Sequence, residues 1–561
     1  MSSDIKPVLV KDNLLCCTDD LAFGVSQSGS NVTTQRFVSN SVSPTVHNYQ
    51  INVPSLTTVV DRELLWRAQY TLTITGTCTS GNRLVQLGEA DALAAFPLHA
   101  LTTNMTAQIN NTSVNMQTNQ IMDVLLRSMD RKELARYNSS TPTYLDNYQD
   151  FAVADGKANN PLGSYGAAVD PEFLPRGGFQ IISMTGNTVA TAEGQAKTVV
   201  LKVAVCEPLL LSPFVFGDAA KGTEQGFYGI SQIILSMAMD PAAKRSYNYF
   251  DNGNYLTKSV AVSYDQTDCW LEARFVSPKA SDLLPAQNVV PYANFVLFPN
   301  PVSVPNAAGQ VISSSVVQLN GIPDKVFIKV GKKFGSLTGE DANAYLPIRA
   351  VSIQFNNQSG ILSNTTDYEL FRMSQEAGSK QTWTEFSGKA TEAAAADTPF
   401  VRLTTGSVLV LDFAKHINIS EEYYAPSSLG TFSLQVQVTV DNTWGATLDG
   451  QLDIITMSSG VFVCNNGSST IYQNVLGKEM VLAAAQQPCI PKSDVSRYVG
   501  GSLLGNLWSM AKKALPFGKA ILSQVPHPAA QAATGALGAL GFGEDAEGGA
   551  RRRKGIRHRL M

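Results

Sequence analysis

The chain has 561 residues, room for three or four ordinary domains or two large all-β ones. With 44% apolar residues, 43 Gly, 26 Pro and a net charge of -4, it can bury a core, which excludes a disordered protein. Only 16% of its residues are charged, against about 25% in typical soluble domains, and this points to a surface that faces other protein.

At the start, Met1 to Lys11 lacks the apolar segment of a signal peptide, and no stretch approaches the roughly 20 apolar residues needed to cross a bilayer. The expectation is a protein made and used inside a cell. Residues 1–44 read as an N-terminal arm. From there to residue 475 strand patterns dominate. Trp66, Ala68, Tyr70, Leu72 and Ile74 alternate with polar residues, the period of a half-buried strand. Further runs follow at Val199 to Val205, Ile230 to Met239, Val326 to Val330, Ala350 to Phe355 and Val408 to Phe413. A second clean alternation joins Phe432, Leu434, Val436, Val438 and Val440. Helical pattern is confined to short pieces such as Gln117 to Met129 and Asp367 to Gln375. The fold class is therefore all-β.

The chain also repeats itself. Gln108-Ile109-Asn110-Asn111-Thr112-Ser113 matches Gln354-Phe355-Asn356-Asn357-Gln358-Ser359. Four identities in six mean little alone, but each copy follows an alternating strand and precedes a short helix. After a loop, each leads through a strand, a Pro-containing connector and a glycine to two more strands. The order is collinear. This predicts two tandem eight-stranded sandwiches of jelly-roll type, in residues 45–280 (with a long loop, 130–197) and 285–475. Residues 476–561 form a C-terminal helix and a basic Ala/Gly-rich tail. Residues 501–561 hold nine Lys/Arg against three Asp/Glu, net +6, so residues 1–500 carry -10.

Candidate sites are sparse. His47, His99, His416, His527 and His558 form no zinc-binding pair, and the seven cysteines (Cys16, Cys17, Cys78, Cys206, Cys269, Cys464, Cys489) have neither disulfide-framework nor metal-ligand spacing. Gly331-Lys332-Lys333 lacks the rest of a phosphate-cradling loop and reads as a basic turn. Asp19-Asp20 and Glu421-Glu422 read as ordinary exposed acids, and Cys16-Cys17 as reduced thiols on the arm. No catalytic group, metal or cofactor is implied, and no small-molecule substrate. The cationic end, Arg551, Arg552, Arg553, Lys554, Arg557 and Arg559, is the one candidate site, for nucleic acid phosphate or for targeting. The stripe Leu503, Leu504, Leu507, Trp508, Ala511 and Leu515 fits a partner groove, a membrane or the protein's own inner surface equally well.

The run Asn356 to Leu362 leading into Leu370-Phe371, the ending Gly460-Val461-Phe462-Val463 through Gly477-Lys478-Glu479-Met480-Val481-Leu482, and the Gly-rich tail closing in Arg and Leu-Met are family-flavoured. With the tandem sandwiches, they make the chain resemble the double jelly-roll major capsid proteins of double-stranded DNA viruses, in the polinton-like virus, adintovirus and virophage group. The resemblance implies a homotrimer of pseudo-hexagonal outline that tiles an icosahedral shell in the virion. It implies penton and minor capsid proteins as partners, assembly in the host cytoplasm or nucleus, and genomic DNA reached through the tail. It also raises cleavage near Gly500-Gly501, although Tyr498 stands where an aliphatic residue is expected. Two other classes stay open: a tandem jelly-roll carbohydrate-active enzyme or lectin-like protein using Trp270, Trp383 or Trp444, and an RNA virus capsid protein.

Overall fold

Strict alternation along a strand puts every second side chain on one face of a sheet, so two such sheets can close face to face over those side chains. In the computed structural model this happens twice. The structure describes residues 30–43, 45–151, 178–214, 226–240, 246–251, 253–278, 287–392 and 400–485.

In the first sandwich one sheet runs, in spatial order, Ser30–Val38, Tyr255–Pro278, Leu65–Cys78, Gln195–Pro208, Gln180–Thr185. The facing sheet runs Ser41–Val42, Val46–Asn52, Gln232–Met239, Thr102–Ile109, Thr112–Met116. In the second sandwich the order Asn288–Val304, Leu448–Asn465, Lys325–Lys332, Leu409–Asp412 faces Gln310–Ser313, Leu429–Val440, Ile348–Phe355, Gln358–Ile361. Val317–Gly321 also pairs with Leu429–Val440, sharing one place with Gln310–Ser313. Four strands of each first-sandwich sheet correspond in order to the four of its second-sandwich counterpart, the first sandwich adding the edge strands Gln180–Thr185 and Ser41–Val42, and neighbours distant in sequence mark the jelly-roll crossovers.

The repeat has a local cause. Asn110 and Asn356 both turn their hairpins in the left-handed region, at φ 52° and 50°, where Asn is one of the few tolerated residues. Each side-chain Oδ1 then accepts a backbone N–H from the next strand, from Ser231 and Ser433 respectively, both at 2.9 Å. The repeated asparagine thus pins the hairpin to its sheet. The helix after each hairpin, Thr118–Ser128 or Asp367–Glu376, lies near its expected place.

Three stretches differ from expectation. Ser30–Val38, expected in the arm, is a sheet strand in full register with Trp270 to Pro278. Its side chains are almost all exposed, so it shows no burial period. The stretch 130–197, expected to be loop, includes the short helix Arg131–Ala135 and the edge strand Gln180–Thr185. The strands expected to close both sandwiches are longer than expected, at 24 residues for Tyr255–Pro278 and 18 for Leu448–Asn465, and in the second a further strand, Ser468–Gln473, folds back on it. In the first, a register shift between Tyr264 and Cys269 interrupts the alternation.

Candidate functional site and assembly surfaces

The sheet of the second sandwich that faces the first is buried on both sides. Along Lys325–Lys332, Val326, Ile328 and Val330 enter the second core while Phe327, one position out of phase, joins the first. Leu409 and Leu411 divide from Val408 and Val410 in the same way, as do Leu452 and Ile454 from Ile455 and Met457. A strand buried on both faces reads as a continuous apolar run. The first hydrophobic core therefore continues across the seam, with Phe227 of one sandwich against Phe462 of the other at 6.2 Å between ring centroids. Hydrogen bonds stitch its margins. Ser469 Oγ donates to the Ile109 carbonyl at 2.5 Å, Tyr228 OH to that of Gln287 at 2.8 Å, and the Ala293 N–H to Ser212 Oγ at 2.9 Å.

At the seam sits an ion cluster. Lys329 Nζ donates to both oxygens of Asp123, at 2.9 and 3.0 Å, and to the Gln120 carbonyl at 2.9 Å, both on the first sandwich's helix Thr118–Ser128. Asp453 lies 3.8 Å away, and Tyr345 OH donates to Asp123. Burial works against the Lys329 charge, but Asp123, Tyr345 and Asp453 outweigh it and hold the ammonium above its ordinary pKa. Burial likewise opposes the Asp123 charge, and Lys329 overcomes it, holding that carboxyl low. A buried pair of this kind specifies geometry more than it adds stability, because its attraction mainly offsets desolvation. It ties the first sandwich's helix Thr118–Ser128 to the second sandwich's strand Lys325–Lys332.

The sequence candidates fall elsewhere. His47, His99 and His416 are interior. His99 Nε2 accepts the Leu210 N–H at 3.1 Å, so its Nδ1 carries the proton and donates to Glu207 at 2.6 Å, a closed structural pair. Gly331-Lys332 ends a strand, with Lys332 paired to Asp341 at 2.8 Å. Glu421-Glu422 lie exposed on a loop. Trp270 lies between the guanidinium groups of Arg36 and Arg67, each 5.2 Å from its ring. Trp383 packs on Tyr368 and Phe371. Among the described residues no group of three or more His, Cys, Asp and Glu is placed to hold a metal, and no helix is long and apolar enough to cross a membrane. The cationic cluster Arg551, Arg552, Arg553, Lys554, Arg557 and Arg559, the Leu503 to Leu515 stripe, Gly500-Gly501, Cys16-Cys17 and Asp19-Asp20 lie outside the described residues.

The free surface shows apolar side chains at sheet edges. In the edge strand Gln180–Thr185 all six residues are exposed, Ile181 at 47% and Ile182 and Met184 at 43% each. At the opposite edge of that sheet Val32 and Val38 are exposed, and on the second sandwich so is Val311 of the edge strand Gln310–Ser313. Open edges carrying exposed apolar side chains invite strand pairing unless another chain covers them, above all Gln180–Thr185, which has no charged residue. Sequence inspection missed both the seam cluster and the edge strand. The only available hint for the cluster was a lysine, Lys329, inside an otherwise apolar strand run.

Comparison with known proteins agrees with this architecture. Residues 3–275 match the family described as Sputnik virophage major capsid protein 1st domain, and residues 292–460 match that of the major capsid protein V20 C-terminal domain. The chain is 28% identical to the putative capsid protein V20 of Sputnik virophage, over 98% of this chain and 95% of that protein. Among solved structures, the cryo-EM structure of Sputnik virophage aligns with a TM-score of 0.74 at 25% identity, covering 88% of this chain and 98% of that one. The mavirus major capsid protein crystal structure aligns with a TM-score of 0.65 at 13% identity, over 87% and 99%. Neither the carbohydrate-active enzyme nor the RNA virus capsid gains support from these matches. Two matching sandwiches locked at a buried seam, and family matches that take in both, place the chain in the virophage major capsid protein family of double jelly-roll capsid proteins.

Proposed function

We propose that this capsid protein acts as a homotrimer of pseudo-hexagonal outline, which tiles an icosahedral shell around a double-stranded DNA genome. The observation that carries the reading is the seam: two like sandwiches held in one orientation make a unit with two similar outer faces. Three such units about a threefold axis present six. The exposed edge strands Ser30–Val38 and Gln180–Thr185 are then the surfaces that copies cover. The role is structural rather than enzymatic, with penton and minor capsid proteins completing the shell and assembly in the host cytoplasm or nucleus. The cationic cluster from Arg551 to Arg559 binds genomic phosphate by charge alone.

Electron microscopy of the purified protein tests the assembly, with pseudo-hexagonal trimers and shells or sheets as the expected outcome and a persistent monomer as the refutation. Deleting residues 545–561 tests the tail: assembly should survive while salt-sensitive DNA binding falls. Unchanged binding would reject the electrostatic role.

A further inference from the structure

Where helix Thr118–Ser128 of the first sandwich meets the turn before helix Trp383–Ser387 of the second, the seam opens into a pocket of about 60 Å³. Its lining includes Arg127, Arg131, Thr143, Lys380, Gln381 and Glu385. Leaving Arg131 aside, Arg127 and Lys380 thus stand against one carboxylate, Glu385. That carboxylate is already engaged, since Glu385 Oε2 accepts the Thr382 N–H at 2.8 Å to cap its helix. Its Oε1 is 3.8 Å from Arg127 Nη1, beyond hydrogen-bond distance. Arg127 is almost wholly buried, and although its Nη2 donates to the Asn343 carbonyl at 3.3 Å, its Nε has no hydrogen-bond partner. Thr143, fully buried in the same lining, has an unpartnered Oγ1.

Buried donors are costly to leave unpaired, and unsatisfied ones call for a specific occupant. A water fills roughly 10–15 Å³ of such space, so the pocket takes about four or five non-hydrogen atoms. Excess positive charge, two unpaired donors and that size define the occupant. We infer that the pocket binds one small oxyanion, a phosphate or a carboxylate group, between the two sandwiches. An anion there receives charge-assisted hydrogen bonds from both halves of the chain, the stronger class of such bonds. It thereby adds a bridge across the seam beside the Lys329 cluster, one helical turn from Asp123.

The test is isothermal titration of the full-length protein with inorganic phosphate and, separately, acetate, each in chloride buffer at matched ionic strength. One site per chain is expected, for phosphate if the site takes a free tetrahedral ion and for both anions if it takes a carboxylate. Lys380→Ala and Thr143→Val should each weaken binding roughly tenfold, the loss of one hydrogen bond to a charged group. Lys132→Ala, exposed on the adjoining helix and outside the pocket, should bind as the parent does. Circular dichroism identifies any variant that fails to fold, and because Lys380 is exposed, Lys380→Ala carries the test even if Thr143→Val does not fold. The proposal fails if neither anion binds in excess of chloride, or if Lys380→Ala binds as tightly as the parent.

Discussion

Acid should weaken this fold through His47, by an amount that follows from its surroundings. The imidazole is fully buried in the first sandwich between the rings of Tyr264, Trp66 and Tyr49, at centroid distances of 4.3, 5.9 and 6.5 Å. Neither ring nitrogen has a hydrogen-bond partner, and the hydroxyls of Tyr70 and Tyr264 have none either. Burial without a counter-charge lowers its pKa from 6.5 to about 4. The folded state therefore resists a proton that the unfolded chain accepts. Stability is fully present above pH 6.5 and declines as pH falls toward 4. At about 1.4 kcal/mol per unit, this one residue costs about 2 kcal/mol at pH 5 and about 3 kcal/mol near pH 4. His47→Phe keeps an aromatic ring and removes the titration. Urea unfolding of both proteins between pH 7.5 and 4.5 measures the difference. His416, lowered by burial, acts in the same sense; Asp324 and Asp453, raised by burial, act oppositely. All three are present in both proteins and cancel in the comparison. If His47→Phe loses as much stability as the parent between pH 6.5 and 4.5, the reasoning is wrong.

Three other outcomes are expected. Lys329→Met strands Asp123 and Asp453 in the seam and should cost about 3–5 kcal/mol in urea unfolding, with Lys329→Met combined with Asp123→Leu recovering part of it; a loss under 1 kcal/mol would deny the cluster its role. Asn356→Ala loses both tolerance of the left-handed turn and the bond to Ser433, so it should cost about 2–4 kcal/mol, and Asn110→Ala should behave alike. Ile182→Lys places a charge on an exposed edge strand, so the protein should fold with unchanged stability yet fail to form large assemblies by light scattering. Shells formed as readily as by the parent protein would exclude that edge from the contacts.

The alternation from Trp66 to Ile74 and from Phe432 to Val440 was legible because those strands have one wet face and one dry one, and water imposes the period. The paired Asn110 and Asn356 were legible because a left-handed turn admits few residues. Composition and repetition together determined an all-β chain of two like halves. The seam was not legible. Phe327 and Lys329 look like interruptions or extensions of an apolar run until a second sandwich covers their face of the sheet. Asp123 lies 206 residues from Lys329, with no local rule to link them. Ser30–Val38 escaped notice because an exposed edge strand has no burial to imprint on its pattern. Sequence thus determined each sandwich, whose order arises within a strand and its neighbours. Only the tertiary structure decided how the two halves meet, because that depends on which face of an already buried sheet finds a partner.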